Sequence, residues 1–209
     1  AWGVGNALDN VLTGTDGANV LNGGLGRDRL VGLGGNDSYV VTQGDTVVEL
    51  AGGGTDSVRS TVSWTLGAHL ENLTLEGTAN LAGTGNSGAN RLAGNGGANR
   101  LDGLAGNDTL WGNGGNDTLA GGAGDDRLTG GAGADRFVFT GGRDVVLDFQ
   151  HGVDRVALDA DALGLASRAE VLAACRVWGN GIMVDGAGAN DLIVTGVTLD
   201  EFRDSFFLI

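Results

Sequence analysis

The stretch GLAGNDTLW GNGGNDTLA GGAGDDRLT GGAGADRFV, Gly103 to Val138, is four nonapeptides end to end. Each opens on glycine, repeats glycine at position 4, carries aspartate at position 6 and places an apolar residue at position 8. A period of nine matches neither an α-helix nor a heptad. A six-residue glycine-rich turn followed by a three-residue strand does match, because the middle residue of such a strand points one way and its neighbours the other. The position-8 side chain is then the one that faces a core.

The pattern extends outward from this stretch. Two units upstream, GNSGANRLA and GNGGANRLD, start an unbroken run of six at Gly85. An earlier array, Gly5 to Val40, reads GNALDNVLT, GTDGANVLN, GGLGRDRLV and GLGGNDSYV in the same register. Position 8 of the ten units holds Leu12, Leu21, Leu30, Tyr39, Leu92, Leu101, Leu110, Leu119, Leu128 and Phe137. Position 6 is aspartate in six units and asparagine in four: Asn10, Asn19, Asn90 and Asn99.

Val41 to Thr84 departs from strict repetition, although AGGGTDSVR (Ala51 to Arg59) keeps the turn glycines, Asp56 at position 6 and an apolar residue at position 8. Alternation predicts strands over Thr46–Glu49, Ser57–Leu66 and Asn72–Leu75 that continue the same architecture. After Val138 the glycines thin out. Ser167 with Glu170 and Thr198 with Glu201 read as capping boxes, which predicts one or two short helices, with strands over Arg176–Trp178, Ile182–Val184 and Leu192–Thr195. The predicted organisation is a first array (1–40), a longer-strand segment (41–84), a second array (85–145) and a C-terminal cap (146–209), the cap covering the apolar end that a solenoid otherwise exposes.

Composition narrows the function. There are 42 glycines and no proline, yet 41% of residues are hydrophobic, which argues for a fold and against plain disorder. The net charge is −14, and all 12 basic residues are arginine. Such a balance repels phosphate backbones and anionic lipid, so nucleic acid and membrane insertion are not expected and cations are the natural partner. No apolar run approaches the length of a membrane helix. The chain opens on Ala1 rather than Met, which predicts a piece of a longer protein. With one cysteine, Cys175, there is no intrachain disulfide framework, and its setting LAACRVW reads as a small buried hydrophobe. Two histidines, His69 and His151, leave no HExxH site and no catalytic triad. The GxGxxG match at Gly83, Gly85 and Gly88 is expected by chance in so glycine-rich a chain. No catalytic residues are expected.

The ten units resemble the nonapeptide GGxGxDxUx, with U apolar, of the RTX (repeats-in-toxin) family of calcium-binding proteins. The resemblance implies an all-β, right-handed parallel β-roll in which two nonapeptides make one coil and calcium lies between stacked turns. Position-6 residues then pair 18 apart: Asp108 with Asp126, Asp117 with Asp135, Asp126 with Asp144. The implied metal set is Asp28, Asp37, Asp56, Asp108, Asp117, Asp126, Asp135 and Asp144, with the turn glycines Gly26, Gly35, Gly106, Gly115, Gly124 and Gly133. The four asparagines are read either as weaker ligands or as a metal-free hydrogen-bonded ladder. Glu49 and Asp45 are candidates to join Asp56 in a further site, while Asp148, Asp154 and Asp159 read as solvated or turn-forming.

Stacked carboxylates repel until a divalent ion sits between them, so folding is expected to be coupled to calcium. The family also implies type I secretion of an attached passenger, with the chain unfolded inside the cell and folding outside it at calcium of about 10⁻⁴–10⁻³ M. The final DSFFLI (Asp204–Ile209) is similar to the family's export signals and equally fits a terminal strand. The competing reading is a calcium-stiffened structural or adhesive solenoid, as in a surface layer or adhesin.

Overall fold

The computed structural model describes all 209 residues. Positions 7 to 9 of the nonapeptides form short strands, as in Val20–Asn22, Arg91–Ala93 and Thr118–Ala120, and the six residues between them turn the chain. Alternate strands enter opposite faces. Every 18 residues the chain returns to the same face, one strand further along, and pairs in parallel with its predecessor.

One face is a twelve-stranded sheet that runs the whole length of the molecule. Its apolar row passes from Leu21 through Tyr39, Val58, Leu73, Leu92, Leu110 and Leu128 to Val146 and Val194, each residue directly beside the next. The opposite face is interrupted. Three strands (Val11–Thr13, Arg29–Val31, Thr46–Val48) form one sheet, and a seven-stranded sheet begins afresh at Trp64–Thr65. The two rows of position-8 side chains meet between the faces. Nine of the ten are buried, the exception being Leu12 at the open first coil, and they belong to one core cluster of 29 buried residues.

The middle segment continues the solenoid with irregular coils. Register steps of 19 residues (Tyr39 to Val58), 15 (Val58 to Leu73) and 19 (Leu73 to Leu92) replace the regular 18. The predicted strand Ser57–Leu66 is two strands, Ser57–Ser60 and Trp64–Thr65, on opposite faces. Alternation in sequence runs straight through, but Ser60 breaks the strand. Its buried hydroxyl donates to the Val62 carbonyl at 2.8 Å and accepts the Val62 N–H at 3.2 Å, so a tight turn forms there.

The cap holds three short helices, α1 (Ala160–Leu163), α2 (Arg168–Ala174) and α3 (Leu199–Arg203). The capping patterns predict α2 and α3; α1 starts at Asp159, whose side chain accepts from the N–H groups of Asp161 and Ala162. Thr198 and Glu201 make both halves of a capping box, whereas Glu170 turns instead to the N–H of Ala166. Strands Asp191–Thr195, Gly181–Asp185 and Cys175–Trp178 finish the long sheet, the last two antiparallel. The terminal strand Phe206–Leu208 pairs with Arg155–Leu158 and closes the other face. Cys175 is half-buried; its thiol donates to the Val171 carbonyl and burial pushes it up to about 11. His69 and His151 are exposed turn residues.

Candidate metal centre

The turns stack along the solenoid, and each stack is tied by its position-6 side chains. The backbone N–H of Asn90 donates to Asp108 Oδ1 at 2.7 Å, that of Asp108 to Asp126 at 2.8 Å and that of Asp126 to Asp144 at 3.2 Å. On the other edge the series is Asn99 to Asp117, Asp117 to Asp135 and Asp135 to Asp154. The first array repeats the scheme twice, Asn10 to Asp28 to Asp45 and Asn19 to Asp37 to Asp56, the latter ending on Glu71 Oε2. One carboxylate oxygen per aspartate is thereby satisfied.

The other oxygen is not. Oδ2 of Asp28, Asp37, Asp56, Asp108, Asp117, Asp126, Asp135 and Asp144 is buried and has no hydrogen-bond partner. These are the eight aspartates singled out from the repeat. None of them forms a salt bridge. Six of the carboxylates, those of Asp28, Asp37, Asp108, Asp117, Asp126 and Asp135, point at the first glycine of their own turn: a Cβ on Gly103 would overlap Asp108 Oδ2 and the Gly121 carbonyl, and one on Gly112 would overlap Asp117 Oδ2 and the Gly130 carbonyl. Side-chain and main-chain oxygens from successive coils therefore converge on a space that only glycine leaves open. Burial pushes Asp108 up to about 7 and Asp117 up to about 6, and Asp144, raised first by burial, is raised further by the neighbouring Asp126 carboxylate. A buried carboxylate with an unpaired oxygen is costly, and a hard cation with a taste for six to eight oxygens removes that cost.

All six named turn glycines, Gly26, Gly35, Gly106, Gly115, Gly124 and Gly133, have positive φ between 95° and 144°. The turns with asparagine at position 6 are built differently. Their backbone stays out of the left-handed region, and the Asn side chain closes the turn on itself. Asn90 Oδ1 accepts the Asn86 N–H while its Nδ2 donates to the Leu70 carbonyl; Asn99 accepts from Asn95 and donates to the Leu81 carbonyl; Asn19 accepts from Thr15. Nothing is left orphaned in these turns.

Three readings from sequence change. Asp154 is buried, neither solvated nor a simple turn former: it ends a ladder, accepting from Asp135 through Oδ1 and from Gln150 through Oδ2. An extra residue in that coil hid the register. Asp45 lies on the Asp28 ladder, where Thr42 satisfies its second oxygen, and so does not join Asp56. Glu49 does meet Asp56, together with Asp37. Asp148 binds the Gly130 and Gly131 N–H groups. A second ladder runs beside the first: position-5 side chains Asn36, Asn107 and Asn116 accept from the backbone N–H of Thr55, Asp125 and Ala134 on the next coil. The recurring Asn-Asp pair is its signal in the sequence.

The model of the RTX calcium-binding nonapeptide repeat matches residues 4–39, 84–119 and 111–146. These stretches are RTX calcium-binding nonapeptide repeats. No curated protein is a match. Among solved structures, the RTX chain is similar to the extracellular lipase LipA of Serratia marcescens, at 20% identity and a TM-score of 0.50 over 100% of its length. It spans 40% of that lipase. The AlgE6R3 subunit of the Azotobacter vinelandii mannuronan C5-epimerase aligns with 70% of the chain and 82% of its own length, at 25% identity and a TM-score of 0.41. The fold is thus an all-β parallel solenoid of the RTX β-roll kind.

Proposed function

We propose that this RTX chain holds several calcium ions between stacked turns and folds only when they bind. The ligands are the carboxylates of Asp28, Asp37, Asp56, Asp108, Asp117, Asp126, Asp135 and Asp144, with main-chain oxygens of turns built on Gly26, Gly35, Gly106, Gly115, Gly124 and Gly133. The observation that carries this reading is the row of eight buried Oδ2 atoms without a partner. An uncompensated carboxylate at every acidic turn opposes folding, and a divalent ion between them reverses the sign.

This coupling suits a chain exported unfolded by a type I machinery and folded outside the cell, where it would stabilise an attached passenger. The chain carries no helix long and apolar enough to cross a membrane. The test replaces Asp108, Asp117, Asp126 and Asp135 by asparagine together. The expected result is a loss of several bound ions by native mass spectrometry and an array that no longer orders in millimolar calcium. Unchanged ion count and folding would overturn the assignment.

A further inference from the structure

Where the first array gives way to the irregular coils, three carboxylates from three segments meet. Asp37 comes from the last repeat turn, Glu49 follows strand Thr46–Val48, and Asp56 precedes strand Ser57–Ser60; one oxygen of each lies within 4.8 Å of the others. They are 2%, 9% and 0% exposed, and no arginine pairs with them. Asp37 Oδ1 and Asp56 Oδ1 are used by the backbone N–H groups of Asn19 and Asp37, while both Oδ2 atoms are buried and partnerless. Glu49 is held in place from both sides, its Oε2 accepting the Leu50 N–H at 3.2 Å and its Oε1 accepting the Tyr39 hydroxyl. A Cβ on Gly32 would overlap the Tyr39 hydroxyl, Asp37 Oδ2 and Glu49 Oε1 at once, so these oxygens surround a single small space.

We propose that Asp37, Glu49 and Asp56 form a calcium site distinct in make-up from the repeat turns, with Tyr39 as the positioning residue that aims Glu49. The proposal rests on the calcium reading of the repeat turns and adds to it a ligand, Glu49, from outside the nonapeptides. Three carboxylates around one point give this site more negative charge than a repeat turn, where successive aspartates stand one per coil. Charge count raises the affinity of oxygen sites for hard cations. The site therefore fills at lower calcium than the second array and accepts a trivalent lanthanide readily.

Tyr39 is the only tyrosine in the chain, so the part of a terbium signal that Tyr39→Phe removes reports this site against the background of the four tryptophans. The experiment titrates terbium into the full chain and excites it through tyrosine, alongside Tyr39→Phe and Glu49→Gln; phenylalanine fits the position, as Phe137 occupies the same place in another unit. The expected result is a tyrosine-excited terbium signal in the first additions that Tyr39→Phe abolishes and, by native mass spectrometry, about a tenfold higher calcium concentration needed to fill that site in Tyr39→Phe. Glu49→Gln should bind one ion fewer by native mass spectrometry, while the second array still folds with calcium. Superimposable excitation spectra for the parent chain and Tyr39→Phe, or an unchanged ion count in Glu49→Gln, would overturn the proposal and leave the repeat turns untouched. Failure of every variant, the parent included, to bind any ion would overturn both readings together.

Discussion

Leu33, Leu104 and Asn113 hold left-handed backbone at φ of 79°, 74° and 74°, at the turn position where Gly24, Gly122 and Gly131 stand in the other acidic units. A side chain in that region costs about 1–2 kcal/mol. Leu104→Gly is therefore expected to stabilise the calcium-saturated chain by up to about 1 kcal/mol once glycine's greater unfolded freedom is deducted. Denaturant unfolding measures it, and a loss of stability would contradict the strain argument. Gly124→Ala is the reverse case: its Cβ would overlap the Gly106 carbonyl at φ 134°. The expected loss is at least about 2 kcal/mol. Asn90→Asp separates the two kinds of turn. It replaces the Nδ2 donor to the Leu70 carbonyl with a second carboxylate oxygen in a turn that is already closed. The account predicts a destabilisation of about 1–3 kcal/mol with no ion gained; an additional bound calcium would show that asparagine alone keeps that turn empty.

The ladders set the pH response of the metal-free chain. Asp108 and Asp117 titrate near 7 and 6 in the fold against an ordinary 3.8, and Asp37, Asp56, Asp135 and Asp154 are raised in the same direction, all first by burial. A raised carboxyl binds its proton more tightly folded than unfolded. Its contribution is present below the ordinary carboxylate range and is lost as pH rises through the folded value. In chelator, β-content should fall as pH rises from about 4 to about 8, and saturating calcium should flatten that dependence. A chelated chain that gains structure over the same interval would contradict the burial of these groups. Much of this was legible in the residues. The apolar position 8 named nine buried side chains, and the 18-residue spacing named aspartates whose N–H and Oδ1 do meet. Tyr39 with Glu49, the ends of the ladders at Asp154 and Glu71, and the break at Ser60 were not legible. They lie in coils of 15 or 19 residues, where a fixed period no longer says which residues stack.

Across the whole molecule, one continuous sheet joins the two arrays and the cap, while the opposite face is split after Val48. The cap ends the apolar rows with Leu163, Val171, Phe202 and Phe206, the last two rings stacked at 5.0 Å. Phe202→Ala is expected to cost about 3–5 kcal/mol in calcium, read from thermal unfolding. A smaller loss would mean that the cap is not part of the cooperative unit. The central claim is that calcium, by pairing the eight orphaned carboxylates, turns folding on. Far-UV circular dichroism through a calcium titration from a chelated start, with magnesium as control, tests it most directly. The account predicts a cooperative transition from coil to β between micromolar and millimolar calcium that magnesium does not reproduce; a chain already β-folded in chelator at neutral pH, with no response to calcium, would contradict it.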